Sequence, residues 1–128
     1  MVIANAVVCD VNGERNQDVR IEDGVIMELG DNLTDSEVLD VKGAYLLPSL
    51  IDTNIRLQDS NLNANNIKAI AEEAKRGGVG HIVLNADSQP AIDNEVVLEF
   101  AQNGIAQVDG TKIDVMLNTL KEDMSLSN

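Results

Sequence analysis

The first 47 residues alternate short β-prone runs with turn pairs, and none of them shows helical periodicity. Residues 18–22 alternate polar and apolar positions, and residues 25–30 read as the return strand after the tight-turn pair Asp23-Gly24. The pair Asn12-Gly13 predicts an earlier hairpin that begins from the apolar run at residues 6–9. This part of the chain therefore predicts a small antiparallel β unit with an edge that needs to be covered.

After Pro48 two stretches have apolar residues at helical spacing. Residues 61–76 predict the first helix, because four apolar residues recur there three or four positions apart. They are Ile67, Ile70, Ala71 and Ala74. Asn61 or Asn63 is suited to cap the start of this helix. A second helix is expected at residues 95–102, started by Asp93 or Asn94 and stopped by Asn103-Gly104.

Strand-like segments flank both predicted helices. They lie at residues 51–57, 80–85, 105–108 and 112–117. This order predicts βαβ units and a parallel sheet, in which the nearly all-apolar run at 80–85 is buried on both faces. Because so few strands cannot close an eight-stranded barrel, the chain is expected to be a truncated piece that associates or aggregates when isolated.

The strand after Pro48 carries four polar residues at alternate positions, namely Asp52, Asn54, Arg56 and Gln58. Side chains of one parity lie on one face of a strand, so these four are expected to point the same way. Such convergence indicates either the mouth of a site or an ordinary strand with one solvent-exposed face. The residues alone leave both interpretations open.

Charge and composition exclude several classes of partner. The 128 residues include 22 acidic and 9 basic side chains, a net charge of −13, with one Tyr, one Phe and no Trp. We therefore expect no nucleic-acid partner, since the chain repels phosphates and lacks aromatic platforms for bases. No apolar run is long enough to span a membrane, and the N-terminus lacks a secretory pattern. The missing secretory pattern and the single cysteine predict a cytoplasmic location. Cys9 is expected to be a small buried side chain, and His81, the only histidine, is expected to be structural.

Several segments resemble motifs of a known family. Residues 18–26 resemble the D-I-x-I-x-D-G-x-I motif of the N-terminal β-sandwich in the amidohydrolase superfamily. Residues 41–52 resemble its D-x-x-G-x-x-x-x-P-G-x-I-D motif, which leads into the first barrel strand. Residues 74–78, followed by residues 87–94, resemble the A-x-x-G-G and N-T-x-P-x-I-D pattern of dihydroorotases. The resemblance covers essentially the whole chain, which corresponds to about the first third of a family member.

The resemblance implies an α/β chain with two parts. Residues 1–47 would form the N-terminal part of a β-sandwich, and residues 48–128 would form the first βα units of a truncated (β/α)8 TIM-type barrel. In active family members the first barrel strand ends in a His-x-His motif that binds zinc. An arginine two positions later holds the substrate carboxylate, and the asparagine of N-T-x-P contacts the substrate. The remaining ligands and the catalytic aspartate come later in those sequences.

This sequence departs from the family at those positions. The two histidine positions hold Asn54 and Arg56, the arginine position holds Gln58, and the asparagine position holds Asp87. Asparagine is a poor zinc ligand, and arginine cannot lose its proton to bind a cation. Glutamine lacks the charge that grips a carboxylate, and Asp87 adds a negative charge near an anionic substrate. We therefore predict vestigial metal-site positions at Asn54 and Arg56 and vestigial substrate-site positions at Gln58 and Asp87, with no catalytic residue, metal or other cofactor.

The main hypothesis is a dihydroorotase-like protein of pyrimidine biosynthesis that has lost catalysis. The resemblance implies a structural partner of aspartate carbamoyltransferase, in a homo-oligomer or a larger complex. The alternative is a zinc-dependent cyclic amidohydrolase, a dihydroorotase whose rearranged site is completed by residues beyond 128. A third hypothesis is a module that binds a small molecule in the vestigial cavity. Under the main hypothesis, Arg56 supplies a fixed positive charge where relatives hold zinc, paired with Asp52 or Asp87.

Overall fold

The computed structural model describes residues 1–121 and 124–127, which form two compact units, Met1–Pro48 and Ser49–Asn128. Strands of the first unit are β1 Val2–Asp10, β2 Gly13–Glu22, β3 Val25–Gly30, β4 Val38–Asp40 and β5 Tyr45–Leu46. Elements of the second unit are β6 Leu50–Ile55, α1 Ala64–Arg76, β7 Val79–Leu84, α2 Glu95–Ile105 and β8 Lys112–Val115. No helix among the described residues is long and apolar enough to cross a membrane.

The sheet of the first unit has the strand order β3-β2-β1-β4, with β5 also beside β1. Both predicted hairpins are confirmed, and Asp23 and Gly24 adopt the positive φ angles of 49° and 76° that suit a tight turn between twisted strands. The expectation of a purely antiparallel unit was wrong, because β4 and β5 pair in parallel with β1. Residues 31–37 return the chain to the start of β1, so the next strand runs in the same direction as β1.

The buried carboxylate of Asp18 ties two irregular segments of this unit together. It accepts hydrogen bonds from the backbone N–H of Asn5 at 2.8 Å and of Leu33 at 3.0 Å. Asn5 lies in the left-handed region at φ 58°, where the register between β1 and β2 shifts. Two partly buried N–H groups that the strands leave unpaired thus find an acceptor. The small apolar cluster of this unit contains Ala6, Val8 and Val19.

The sheet of the second unit is parallel, and its strands lie in chain order, β6-β7-β8. Consecutive order is typical of a (β/α)8 barrel, whereas doubly wound sheets reverse direction at a switch point. Of the two cap candidates that the sequence offers for each helix, Asn63 and Asn94 are the caps, because each accepts a hydrogen bond from the backbone N–H three residues later. Helix α1 therefore begins at Ala64 rather than at residue 61. Their apolar faces contribute to the main core. That core includes Leu57, Leu62, Ile67, Ala71, Ile82, Leu84, Ala86, Ile92, Ala101 and Ile113.

The predicted stop at Asn103-Gly104 and the predicted strand at residues 105–108 were both wrong. Helix α2 continues to Ile105, and Val108 closes a turn by donating to the carbonyl of Ile105 at 2.9 Å. Gly104 is buried in the helix, and a Cβ placed on it would lie 2.9 Å from Ile67 Cδ1. The glycine therefore permits close packing between the two helices rather than ending one of them.

Only alternate residues of β7 are deeply buried, so the expectation of burial on both faces was also wrong. Ile82 and Leu84 belong to the core, while His81 and Val83 are half-buried. This alternation follows from an open three-stranded sheet with both helices contributing to the same core.

Candidate functional site

The polar residues singled out in the sequence meet where β6 and β7 end. Asn54 is the penultimate residue of β6, and Arg56 follows its last residue. Asn85 and Asp87 follow the end of β7, and the backbone N–H of Asn85 donates to the carbonyl of Ile55 at 2.8 Å. Because the strands are parallel, their carboxyl ends lie at the same edge of the sheet, which is the edge where α/β proteins place their sites.

Two side-chain contacts also join the strand ends. Asn85 Nδ2 donates to Asn54 Oδ1 at 2.9 Å, and Arg56 Nη2 lies 3.6 Å from Asp87 Oδ2. The expected pairing of Arg56 with a carboxylate is therefore confirmed, with Asp87 as the partner. The two charged side chains are 64% and 72% exposed, so the pair stabilises the fold by only about 0–1 kcal/mol.

Asp52 does not share a face with Asn54 and Arg56 in the way that strict alternation predicts. Asp52 pairs with Ile82, and Ile55 pairs with Leu84, so three steps along β6 match two steps along β7. The extra residue breaks the alternation. Asp52 Oδ1 accepts from the backbone N–H of Asn54 at 3.0 Å. This carboxylate therefore supports the bend in its own strand.

Gln58 lies outside the strand, at the start of the short 3-10 helix Gln58–Ser60. Its side chain is exposed, and its backbone carbonyl accepts hydrogen bonds from Asn61 N at 3.1 Å and from Asn66 Nδ2 at 3.3 Å. The turn begins after Leu57, which is buried in the core. The assignment of Gln58 as a vestigial substrate-site position stays a prediction.

The loop after β7 is held by hydrogen bonds to the loop after β6. Gln89 N donates to Ser60 O at 2.6 Å, and Leu62 N donates to Gln89 O at 3.0 Å. The buried hydroxyl of Ser88 donates to Pro90 O at 2.9 Å. These contacts fix the backbone next to Asp87, so the exposed carboxylate extends from a well-supported loop.

Asn85 is a site residue that the sequence reasoning missed. Its amide contacts both Asn54 and the backbone of Asp87. The available signal was its place directly after an apolar strand and two residues before Asp87, which gives the two side chains the same parity.

Zinc is the metal that the resemblance implies, and the residues at this strand end do not fit it. The only metal-binding atom of Asn54 is Oδ1, which accepts from Asn85. Arg56 carries a permanent positive charge and lies against Asp87, the carboxylate of this cluster. Within residues 1–121 and 124–127, no group of three or more His, Cys, Asp or Glu side chains is arranged to hold a metal ion.

His81 lies apart from this strand end. Its Nε2 is 2.7 Å from Asp114 Oδ2 on the neighbouring strand β8, and Lys112 Nζ is 3.3 Å from the same oxygen. The hydrogen bond from His81, followed by that from Lys112, lowers the pKa of Asp114 below its usual value. These contacts join β7 to β8, in keeping with a structural role for the histidine.

The chain is similar in sequence to curated dihydroorotases, although no family model matches it. It is 33% identical to the dihydroorotase of Thermoanaerobacter sp. (strain X514) and 32% identical to that of Caldanaerobacter subterraneus subsp. tengcongensis. Each match extends over 114 residues, 86% of this chain and 26% of the relative. The chain thus spans about a quarter of the length of these relatives.

Solved structures share its fold. An L-hydantoinase (dihydropyrimidinase) from Arthrobacter aurescens has a TM-score of 0.73 at 14% identity, over 95% of this chain and 28% of the hydantoinase. A D-hydantoinase has a TM-score of 0.66 at 21% identity, over 96% of this chain and 28% of its own. The predicted fold class, part of a β-sandwich followed by the first βα units of a (β/α)8 barrel, is confirmed. The resemblance to dihydroorotases is confirmed as well: this is a dihydroorotase-like chain over about 86% of its length, and it has the fold of the hydantoinases.

Proposed function

We propose that the protein is a non-catalytic, cytoplasmic dihydroorotase-like protein that acts as a structural partner of aspartate carbamoyltransferase in pyrimidine biosynthesis. One observation carries this proposal. The strand end that would bind zinc holds Asn54 and Arg56, and Arg56 is paired with Asp87. The names of the curated relatives support the link to pyrimidine biosynthesis.

The chemistry of this strand end supports the absence of catalysis. Hydrolysis of a cyclic amide needs an activated water, which zinc supplies by lowering the pKa of its bound water. The amides of Asn54 and Asn85 do not titrate, and a guanidinium cannot act as a base near neutral pH. Asp87, the carboxylate here, has Arg56 against it. The cluster therefore lacks both a metal site and a poised base.

Exposed apolar side chains on the second unit support a role in a larger assembly. Strand β6 pairs only with β7 among the described strands, and its residues Leu50 and Ile51 are more than half exposed. An unpaired strand with apolar side chains is a common site of association. Phe100 of α2 is exposed as well. Because the first strand of a closed barrel pairs on both sides, the β6 edge suits either a further barrel strand or a protein partner, and exposed Phe100 offers an additional contact.

The test of catalysis measures bound zinc and dihydroorotate hydrolysis on the same purified sample. We expect substoichiometric zinc and no turnover above a protein-free control. The dihydroorotase of Thermoanaerobacter sp. (strain X514), purified in parallel, is the positive control. Stoichiometric zinc together with turnover would contradict the proposal and establish the alternative, a zinc-dependent cyclic amidohydrolase with a rearranged site.

The test of partnership mixes the protein with aspartate carbamoyltransferase of the same organism and measures mass by size-exclusion chromatography with light scattering. We expect a complex heavier than either component. Ile51→Lys should weaken it, because the lysine places a charge on the exposed β6 edge. Val11→Lys, in a fully exposed turn of the first unit, is the matched control. Separate elution at every concentration would contradict the partnership.

A further inference from the structure

The amides at the ends of β6 and β7 have a fixed donor and acceptor direction. The backbone N–H of Asp87 can only donate, and it lies 2.8 Å from Asn85 Oδ1. Asn85 therefore presents its NH₂ group to Asn54, and Asn54 Oδ1 is the acceptor at 2.9 Å. Within residues 1–121 and 124–127, Asn54 Nδ2 makes no hydrogen bond, so its two N–H donors remain available.

Arg56 adds further donors at the same strand end. Its guanidinium carries five N–H groups and no acceptor. The contact with Asp87 is an ion pair at 3.6 Å, too long for a hydrogen bond, and the arginine side chain stays mostly exposed. Asn54 contacts Asn85, Asn85 accepts from the backbone N–H of Asp87, and the Asp87 side chain lies against Arg56, so these contacts bring the Asn54 amide and the Arg56 guanidinium to the same strand end.

We propose that this strand end binds a small oxyanion, a carboxylate or a phosphate, through the Arg56 guanidinium and the Asn54 amide, without a metal. The ligand would take the place of the Asp87 carboxylate beside Arg56, because both are anions that compete for the same cation. This binding requires neither the carbamoyltransferase nor catalysis, so it stands or falls separately from the proposed function. The net charge of −13 opposes an anion and predicts weak affinity.

Asn85 is a positioning residue in this proposal, since it holds Asn54 with the donors outward. Asn85→Asp is the variant that tests this role. An aspartate keeps the size of the side chain and still accepts from Asp87 N, but it can only accept from Asn54 as well. Asn54 would then turn its NH₂ toward residue 85 and present Oδ1, an acceptor, to the ligand. Arg56 is left in place, so a loss of binding would report the reversed Asn54 amide together with the negative charge that the aspartate adds beside the anion.

The experiment is an NMR titration of the ¹⁵N-labelled protein. The signals followed are the side-chain NH₂ of Asn54 and the Nε–H of Arg56, with succinate, inorganic phosphate and chloride added in separate samples at matched ionic strength. We expect saturable shifts of both signals with succinate or with phosphate and none with chloride. Comparison of the first two samples distinguishes a carboxylate ligand from a phosphate.

Four variants test which side chains contribute to anion binding. Arg56→Gln should weaken binding by about tenfold or more, because it removes a charged donor. Asp87→Asn should strengthen binding, because it removes the competing carboxylate. Asn85→Asp should weaken it, and Arg76→Gln, an exposed arginine at the end of α1, should leave it unchanged. The backbone amide spectrum of each variant confirms that it is folded.

Shifts that rise linearly without saturation, or that chloride reproduces, would overturn the proposal. Equal binding in the wild type and in a folded R56Q variant would overturn it as well. Unchanged binding in a folded N85D variant would remove Asn54 from the site and so contradict the proposal as stated.

Discussion

The two units of the chain hold their sheets together by different means. In the first unit the apolar cluster is small, and the buried carboxylate of Asp18 joins a bulge in β1 to the loop after β3. In the second unit two helices contribute to a larger apolar core, centred on Ile67 and Ile82. The first unit therefore depends on a specific polar contact, whereas the second depends on apolar packing.

The dependence of the second unit on apolar packing explains how the residues of the candidate site can change while the fold persists. Asn54, Arg56 and Asp87 lie at an exposed strand end, outside the residues that form the core of the second unit. Substitutions there change chemistry but remove little buried area. The barrel-type sheet is kept by residues that face the helices, so the fold and the site are set by different side chains.

The largest effect is expected from Ile67→Ala. The side chain is fully buried in α1 and contacts the helix-packed core, so its loss leaves a cavity and should lower the free energy of unfolding by about 3 kcal/mol. Urea unfolding followed by circular dichroism at the helix band measures it, because both α-helices belong to the second unit. Val96→Ala, exposed on α2, is the control with little expected change. An equal decrease in the free energy of unfolding in both variants would contradict the dependence of the second unit on apolar packing.

Asp18→Ala tests the polar contact of the first unit. It leaves the backbone N–H groups of Asn5 and Leu33 without their acceptor, which should cost about 2 kcal/mol. Hydrogen exchange at these two amides should speed up, which is the direct measurement. Asp31→Ala removes an exposed carboxylate of the same unit and should leave both rates unchanged. Unaltered exchange in D18A would show that the carboxylate does not hold these segments.

Gly104→Ala should destabilise the second unit by about 1 kcal/mol, because the added methyl group would lie 2.9 Å from Ile67 Cδ1 and 3.4 Å from Ala64 Cα. The sign is informative, since glycine to alanine in an exposed helix interior normally stabilises by about that amount. Urea unfolding of G104A beside Asn103→Ala, an exposed neighbour in the same helix, measures the difference. A more stable G104A would mean that the helices can move apart freely.

The smallest effect concerns Asp10, a surface carboxylate of the first unit. Hydrogen bonds from Arg15 lower the pKa of Asp10 from its ordinary 3.8 to about 2. A lowered folded-state pKa contributes stability above pH 4, and this contribution is lost as the pH falls from about 4 to about 2. NMR titration of the Asp10 carboxyl carbon measures the pKa. Arg15→Gln should return it toward 3.8, and an unchanged titration in that variant would contradict the assigned cause.

Local chemistry predicted much of the fold. The turn pair Asp23-Gly24 acts within a few residues, so the sequence was enough to place it, and for each helix cap the sequence left two neighbouring candidates, of which Asn63 and Asn94 are the caps. Gly104 could not be assigned in this way. A glycine after an apolar helix face suits a stop equally well, and only the approach of Ile67 from α1 distinguishes the two roles.

The same distinction between local sequence and tertiary contacts applies to the candidate site. The sequence by itself determined which residues stand at the metal and substrate positions, Asn54, Arg56, Gln58 and Asp87, because their types and spacing are local properties. Tertiary structure decided which of them meet. Arg56 and Asp87 are far apart in the chain, and parallel pairing of β6 with β7 brings them together, whereas the turn after Leu57 takes Gln58 out of the strand. The orientation of the Asn85 amide also depends on that pairing, because its NH₂ group donates to Asn54 at the end of β6 while its Oδ1 accepts from Asp87 N after β7.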